Sequence, residues 1–256
     1  MDRSFLSNED VIAASRDFVC IRLATYEDAE VAKYLRTIFT RRGDLENTVF
    51  AILAPDGKTE LVRSGRGPKF RSPAQMAERM QHLVSANYRN AQKRRWSDRQ
   101  LPAMKSLELA LNVASCDGLP ALVAIGKTEA ELNELREQLV PLAWNEQLGG
   151  QFVVATVDSS ADLRPIRGLD DVDSEGVYLL EPDQFGLSGR VIAKIDAGHE
   201  SAEGQLKSAL ADFKPPVKNH RQHVQAGYQL GLRWETAIPV TDKQAVQASS
   251  RLWGKD

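Results

Sequence analysis

The side chains with reactive potential in this chain are two thiols, a handful of histidines and one dense basic stretch, and their spacing decides what each can do. Cys20 and Cys116 lie far apart in unlike contexts, so neither a disulfide framework nor a zinc cluster follows from them. Cys20 falls within the apolar run Phe18-Val19-Cys20-Ile21-Arg22-Leu23, where a thiol behaves as a small buried hydrophobe. Cys116 stands beside Asp117 at the expected end of a helix, and both the carboxylate and the negative helix terminus disfavour a thiolate. His220 and His223 are spaced to share one helical face, but Pro215-Pro216 stands upstream and no neighbouring Cys or carboxylate completes a metal site. Gly65-Arg66-Gly67 offers amides and a cation to an anion without the strand, loop and helix order of a phosphate loop. Serines, histidines and aspartates are present, yet no spacing assembles a nucleophile elbow. No catalytic, cofactor or metal site is assigned on these grounds.

The basic stretch is the remaining candidate. Between Lys58 and Arg99 eleven Lys and Arg stand against three acidic residues, a surplus of eight in a chain whose formal net charge is -2. Its exposed cations are expected to include Arg63, Arg66, Lys69, Arg71, Lys93, Arg94 and Arg95, which together form a candidate surface for nucleic acid or another anionic partner. Aromatic residues for base stacking are few (Phe70, Tyr88 and Trp96), so a solvated helical linker is the preferred reading and nucleic acid the less favoured partner.

The elements that position these residues are legible from periodicity and turn chemistry. Ser7-Asn8-Glu9-Asp10 starts a short helix reaching about Arg16, with a capping side chain and two early acids. Phe18 to Leu23 reads as a buried strand, and Tyr26 to about Arg41 as a helix with apolar residues on one side. Phe50 to Val62 contains two apolar runs around Pro55-Asp56-Gly57, the chemistry of a hairpin. Ser72-Pro73 opens a helix expected to run to the Lys93-Arg94-Arg95 cluster.

A similar series follows. Leu107 to Cys116 suits a helix closed by Gly118, and Ala121 to Ile125 a buried strand. Thr128-Glu129-Ala130-Glu131 caps a helix through about Trp144, and Gln151 to Val157 is the next strand. Ser159 to Leu163 suggests a brief helix. A second hairpin spans Val177 to Ala193 with Pro182-Asp183 after its first strand, and Ser201 to Phe213 is an amphipathic helix. Beyond Lys214 the pattern is irregular, with Trp234 and Ile238-Pro239-Val240 suggesting a tail that packs on a domain.

The β-α-β-α-β-β-α order, ending in a hairpin and a helix, resembles the thioredoxin fold. Met1-Asp2-Arg3-Ser4-Phe5 through Val11, followed by Phe18-Val19-Cys20-Ile21-Arg22, is similar to a pattern of thioredoxin-like domains of the spermatogenesis-associated type and of bacterial thioredoxin-family proteins. The fold expected is therefore α/β, with two tandem thioredoxin-like domains built on mixed sheets flanked by helices, the first lacking its opening strand. The boundaries expected are 1–71 for the first domain, 72–104 for a basic helical linker, 105–213 for a second, degenerate domain and 214–256 for the tail.

In that family a Cys-x-x-Cys pair at a helix N-terminus carries the chemistry, and in relatives of the first domain it stands just before the residues equivalent to Met1. No such pair occurs in this chain. The family proline before the first hairpin strand is replaced by Asn47 in the first repeat and absent from Ser174-Glu175-Gly176 in the second, while the loop preceding the second repeat's capped helix reads Gly126-Lys127-Thr128-Glu129. The resemblance thus implies a non-catalytic binding or scaffold protein of thiol or protein-folding pathways, with an unidentified protein partner and no cofactor. A thiol-disulfide oxidoreductase whose cysteines lie upstream of Met1 is the alternative, and an anionic-partner binder the second. The composition, 42% hydrophobic and 27% charged, is that of a soluble globular protein, and no apolar run approaches the roughly 20 residues that span a bilayer. As written, the sequence predicts a cytoplasmic protein, or an exported one if a signal segment lies upstream.

Overall fold

The computed structural model describes residues 5–21, 23, 25–26, 28–38, 45, 49–88, 100–104, 106–158, 160–169, 175–215, 219–232, 236–244 and 246–247. Among them the protein is mixed α/β, with seven helices, a six-stranded mixed sheet and a separate two-stranded sheet. It divides into two compact units, one formed by residues 1–92 and 233–256, the other by 93–232. The second unit is thus inserted between two segments of the first.

The second unit is organised around β4 (Ala121–Gly126), whose six residues are all buried. Its order is β3 (Ala103–Met104), α4 (Leu107–Asp117), β4, α5 (Glu129–Ala143), β5 (Val153–Asp158), β6 (Ile166–Arg167), β7 (Gly176–Pro182), β8 (Gly189–Ile195), α6 (Ala202–Asp212) and α7 (His220–Gln229). In space the strands run β3-β5-β4-β7-β8-β6. The first three are parallel, β7 is antiparallel to β4 and to β8, and β6 is parallel to β8. Side-chain alternation gives β4 two apolar faces. Ala121, Val123 and Ile125 meet Leu107, Ala110, Leu111 and Ala114 of α4, while Leu122 and Ala124 meet Leu139 and Leu142 of α5 and Leu206 of α6.

Local chemistry fixes the helix ends. The Ser106 hydroxyl accepts from the Leu109 amide at 3.1 Å, and Gly118, at φ 68°, turns the chain so that the amides of Gly118 and Leu119 return to the carbonyls of Ser115 and Ala114. Gly186, at φ 71°, is held by sterics as well. A Cβ there would lie 2.5 Å from the Cα of Asn112, so the β7–β8 turn can sit on α4 only with glycine at this position. That turn is organised by Asp183, which accepts from the amides of Phe185 and Leu187 and from the Ser188 hydroxyl, while its carbonyl accepts from Ser115 of α4.

The first unit has α1 (Glu9–Ser15), α2 (Ala29–Ile38), β1 (Phe50–Leu53), β2 (Glu60–Gly65) and α3 (Pro73–Asn87). In the β1–β2 turn, Asp56 accepts from the amides of Lys58 and Thr59 and from the Thr59 hydroxyl, and these bonds hold its pKa at about 2. Val11 and Ala14 of α1 and Ile52 of β1 pack with Met76, Ala77, Met80 and Leu83 of α3. A second cluster joins Tyr26, Ala32, Leu35 and Leu45, with Ile238 against it.

Several expectations are corrected. Phe18 to Leu23 is not a strand at its described positions: Val19 and Ile21 are 77% and 71% exposed, and no described strand lies alongside to accept their backbone. β-branched residues favour a strand only where a neighbour supplies pairing and packing, and the two-stranded sheet of this unit does not. Cys20 is accordingly exposed rather than part of the core, its thiol 3.9 Å from the Ser15 carbonyl. The helix opened by Ser72-Pro73 ends at Asn87, short of the basic cluster, and its buried face makes it part of the first unit's core instead of a linker. Residues 160–163 form a turn and bend rather than a helix, because Asp158 takes the Ser160 amide with its side chain and the Ala161 amide with its carbonyl. The region beyond Lys214 does not act as one tail, since α7 belongs to the second unit and 233–256 returns to the first. Asn47, Ser174 and Trp234 lie outside the described residues.

Candidate functional site

In an open sheet with helices on both faces, side chains with chemistry gather at the carboxyl ends of the parallel strands. Here β4 and β5 end side by side at Gly126 and Asp158, with α4 on one face and α5 on the other. Gly126 is tightly enclosed, since a Cβ would approach the Leu132 side chain to 3.1 Å. The chain then turns into α5 through a reciprocal cap. The Thr128 hydroxyl accepts from the Glu131 amide at 3.2 Å, while the Glu131 carboxylate accepts from the amides of Lys127 and Thr128 at 2.8 and 3.2 Å. Three donors at this helix start are therefore satisfied, and the negative charge of Glu131 faces the positive end of the dipole.

Around this cap the charges are paired. Lys127 forms an ion pair with Glu175, which immediately precedes β7 and whose carbonyl accepts from the Tyr178 hydroxyl at 3.1 Å. Arg136, further along α5, donates to Glu129 at 2.5 Å and to Asn133 at 2.8 Å, with its other terminal nitrogen 3.4 Å from the Thr156 hydroxyl of β5. Beside these groups an open cavity of about 280 Å³ lies between the start of α4 and the end of β5. Leu107 and Val157 give it an apolar component, and Ser106, Glu108, Asp158 and Asp162 add polar groups. The hydroxyl and amide of Ser160 hold Asp158 below the usual carboxylate range, and the Arg164 guanidinium holds Asp162 at about 2. Carboxylates so tied to their own turns stay ionised near neutral pH and have no proton to donate.

No family model, curated protein or solved structure matches the chain. What the site can do rests on its own groups: a closed helix cap, two ion pairs and an acid-rimmed cavity, with both thiols elsewhere. Cys116 is exposed at the end of α4, the end remote from the Ser106 cap, and Cys20 lies in the first unit. Among the described residues no group of three or more His, Cys, Asp and Glu is placed to hold a metal ion. The His223 ring stacks on Phe185 of the β7–β8 turn, with centroids 4.8 Å apart, which gives it a packing role in docking α7.

The predicted basic surface divides. Arg63, Lys69 and Arg71 are exposed on and after β2. Arg66 is engaged, its guanidinium 2.6 Å from the Asp242 carboxylate, whose side chain is fully buried. Lys93, Arg94 and Arg95 lie outside the described residues. Sequence reasoning missed this Arg66–Asp242 pair and the Tyr26 hydroxyl beside it, which accepts from the Asp242 amide at 3.0 Å and donates to the Leu45 carbonyl at 2.9 Å. The one sequence signal was an acid two residues after the apolar stretch Ile238-Pro239-Val240, too common a pattern to name a partner so far away in the chain.

Proposed function

We propose that the protein is a non-catalytic thioredoxin-like binding or scaffold module of thiol or protein-folding pathways. The observation that carries this reading is the α5 cap. Cys-x-x-Cys chemistry requires two thiols at positions i and i+3 of a helix N-terminus, where amides and dipole stabilise a thiolate. In the second unit those two positions, at the helix that follows the central strand, are Thr128 and Glu131, and they close on each other as a capping box. The element order supports the fold half of the proposal. From β3 to α6 it opens as the β-α-β-α of that succession and ends in a hairpin and a helix, with two further strands, β5 and the two-residue β6, between α5 and the hairpin. Glu175, paired with Lys127, stands where the family carries its proline.

The test is dithiothreitol-dependent reduction of insulin by the 256-residue chain, beside a Thr128→Cys/Glu131→Cys variant. The native chain is expected to leave the uncatalysed rate unchanged, and the variant to form a reducible intrachain disulfide between the introduced thiols. Reproducible turnover by the native chain refutes the non-catalytic reading. Failure of the introduced thiols to pair, with the fold intact by circular dichroism, refutes the assignment of this helix start as the equivalent of the dithiol site.

A further inference from the structure

We infer that the end of β2 and the loop that follows it form a docking surface for an acidic segment of a protein partner. The loop is built to hold its cations outward. Phe70 packs against the core of α1 and α3, which turns its neighbours Lys69 and Arg71 to solvent, and both are exposed. The Arg71 amide donates to the Gln75 side chain at 2.7 Å, tying the loop to the first turn of α3, whose start is capped by Ser72. Lys69 folds back so that its side chain covers Gly65 at the end of β2, two residues from the exposed Arg63. Arg63, Lys69 and Arg71 make no ion pair with a described carboxylate. The one nearby acid on β2, Glu60, has its carboxylate directed to the amide and hydroxyl of Ser64, at 3.2 and 2.8 Å. The cationic heads are therefore left for an external anion.

Two observations select a carboxylate-bearing polypeptide over a nucleic acid. The same loop already recognises such a group, because Arg66 holds Asp242 of a returning segment of this chain at 2.6 Å, an in-chain instance of the contact proposed. Stacking platforms, the usual companions of a basic groove for single-stranded nucleic acid, are absent from the described part of the surface, since its aromatic residue, Phe70, is committed to the core. Charge complementarity of this kind sets encounter rate and orientation and weakens as salt screens it.

The test uses fluorescence anisotropy with the full chain and three labelled probes of equal length: a peptide alternating Glu and Ser, one alternating Lys and Ser, and a single-stranded oligonucleotide. The Glu peptide is expected to bind at low ionic strength, with affinity falling by about tenfold or more in the Arg63→Glu/Lys69→Glu/Arg71→Glu variant and at about 0.5 M salt. Because all three positions are exposed, an unchanged melting profile is expected to accompany the loss; a milder Arg63→Gln/Lys69→Gln/Arg71→Gln variant serves if the reversal unfolds the unit. Carbodiimide coupling should join the peptide's carboxylates to Lys69. Absence of Glu-peptide binding at low salt, or binding unchanged within about twofold in both variants, overturns the inference. Tighter binding of the oligonucleotide than of the peptide overturns it in favour of a nucleic-acid surface.

Discussion

Arg66→Ala is the substitution whose effect separates a buried ion pair from an ordinary surface one. The Asp242 side chain is 0% exposed and the Arg66 side chain 35% exposed, so the two halves of the pair stand in different dielectric surroundings. Removing the cation takes the counter-charge from a buried carboxylate, a loss of about 3–5 kcal/mol, whereas removing the acid leaves a guanidinium that can hydrate from its exposed side. Asp242→Ala still loses the bond that its Oδ1 accepts from the Gln244 amide at 2.8 Å, a local contact worth about 1 kcal/mol. The order expected is therefore Arg66→Ala clearly worse than Asp242→Ala, with Asp242→Asn in the Arg66→Ala background recovering much of the deficit because the amide needs no counter-charge. Two compact units make one global unfolding curve ambiguous. Hydrogen exchange in increasing urea, read on peptides from α2, β1–β2 and α3, isolates the first unit. If Arg66→Ala costs no more than the exposed Arg63→Ala, within about 0.5 kcal/mol, the pair does not hold the returning segment and the reasoning fails.

Gly186→Ala should destabilise the second unit by about 2 kcal/mol or more, since it strains a φ of 71° and drives a Cβ to 2.5 Å from Asn112, while Gly204→Ala in α6, where a Cβ meets nothing within 4 Å, should stabilise by about 0.5–1 kcal/mol; thermal melts of the two variants give opposite signs. Burial raises the Asp183 pKa, but the Ser188 hydroxyl and the amides of Phe185, Leu187 and Gly186 outweigh it and leave it lowered. A lowered folded value means stability present above the unfolded pKa and lost as pH falls through the folded one, so second-unit stability should decline below about pH 4, less steeply in Asp183→Asn, as followed by circular dichroism. Thr128→Ala should cost about 1 kcal/mol by opening the capping box, with Thr128→Ser close to neutral, read by hydrogen exchange in urea on peptides from α5.

What could be read from the sequence follows the range over which its causes act. The caps at Asn8, Ser72 and Thr128, the left-handed Gly118 and both hairpins depend on residues within a few positions, and each is in the structure where local chemistry puts it. β4 was legible because five apolar residues between turn signals are too short a run for a helix and match a strand with two covered faces. Long-range causes were not legible. The glycines flanking Arg66 mark it as open to an anion without naming one, and only the fold shows that a segment from the far end of the chain supplies the carboxylate to it and not to Arg63. Gly186 looks like any turn glycine until α4 is found against it.

The most instructive failure is Phe18 to Leu23, whose composition matches a buried strand as well as Phe50 to Leu53 does. The difference is supplied by context. Phe50 to Leu53 has Asp56 and Gly57 to turn the chain and Glu60 to Gly65 to pair with, so its backbone groups are satisfied within the hairpin. Phe18 to Leu23 has no such partner, because the described strands of its unit amount to that one hairpin. Of its described residues only Phe18 at its edge joins the core, and the alternating Val19 and Ile21 stay in solvent. Strand propensity therefore measures what a segment would gain from a neighbour. In the second unit every apolar run with high propensity has such a neighbour, because two parallel connections and a hairpin bring five strands together around β4. The asymmetry between the units thus arises less from their apolar content than from how many partners the chain returns to each strand.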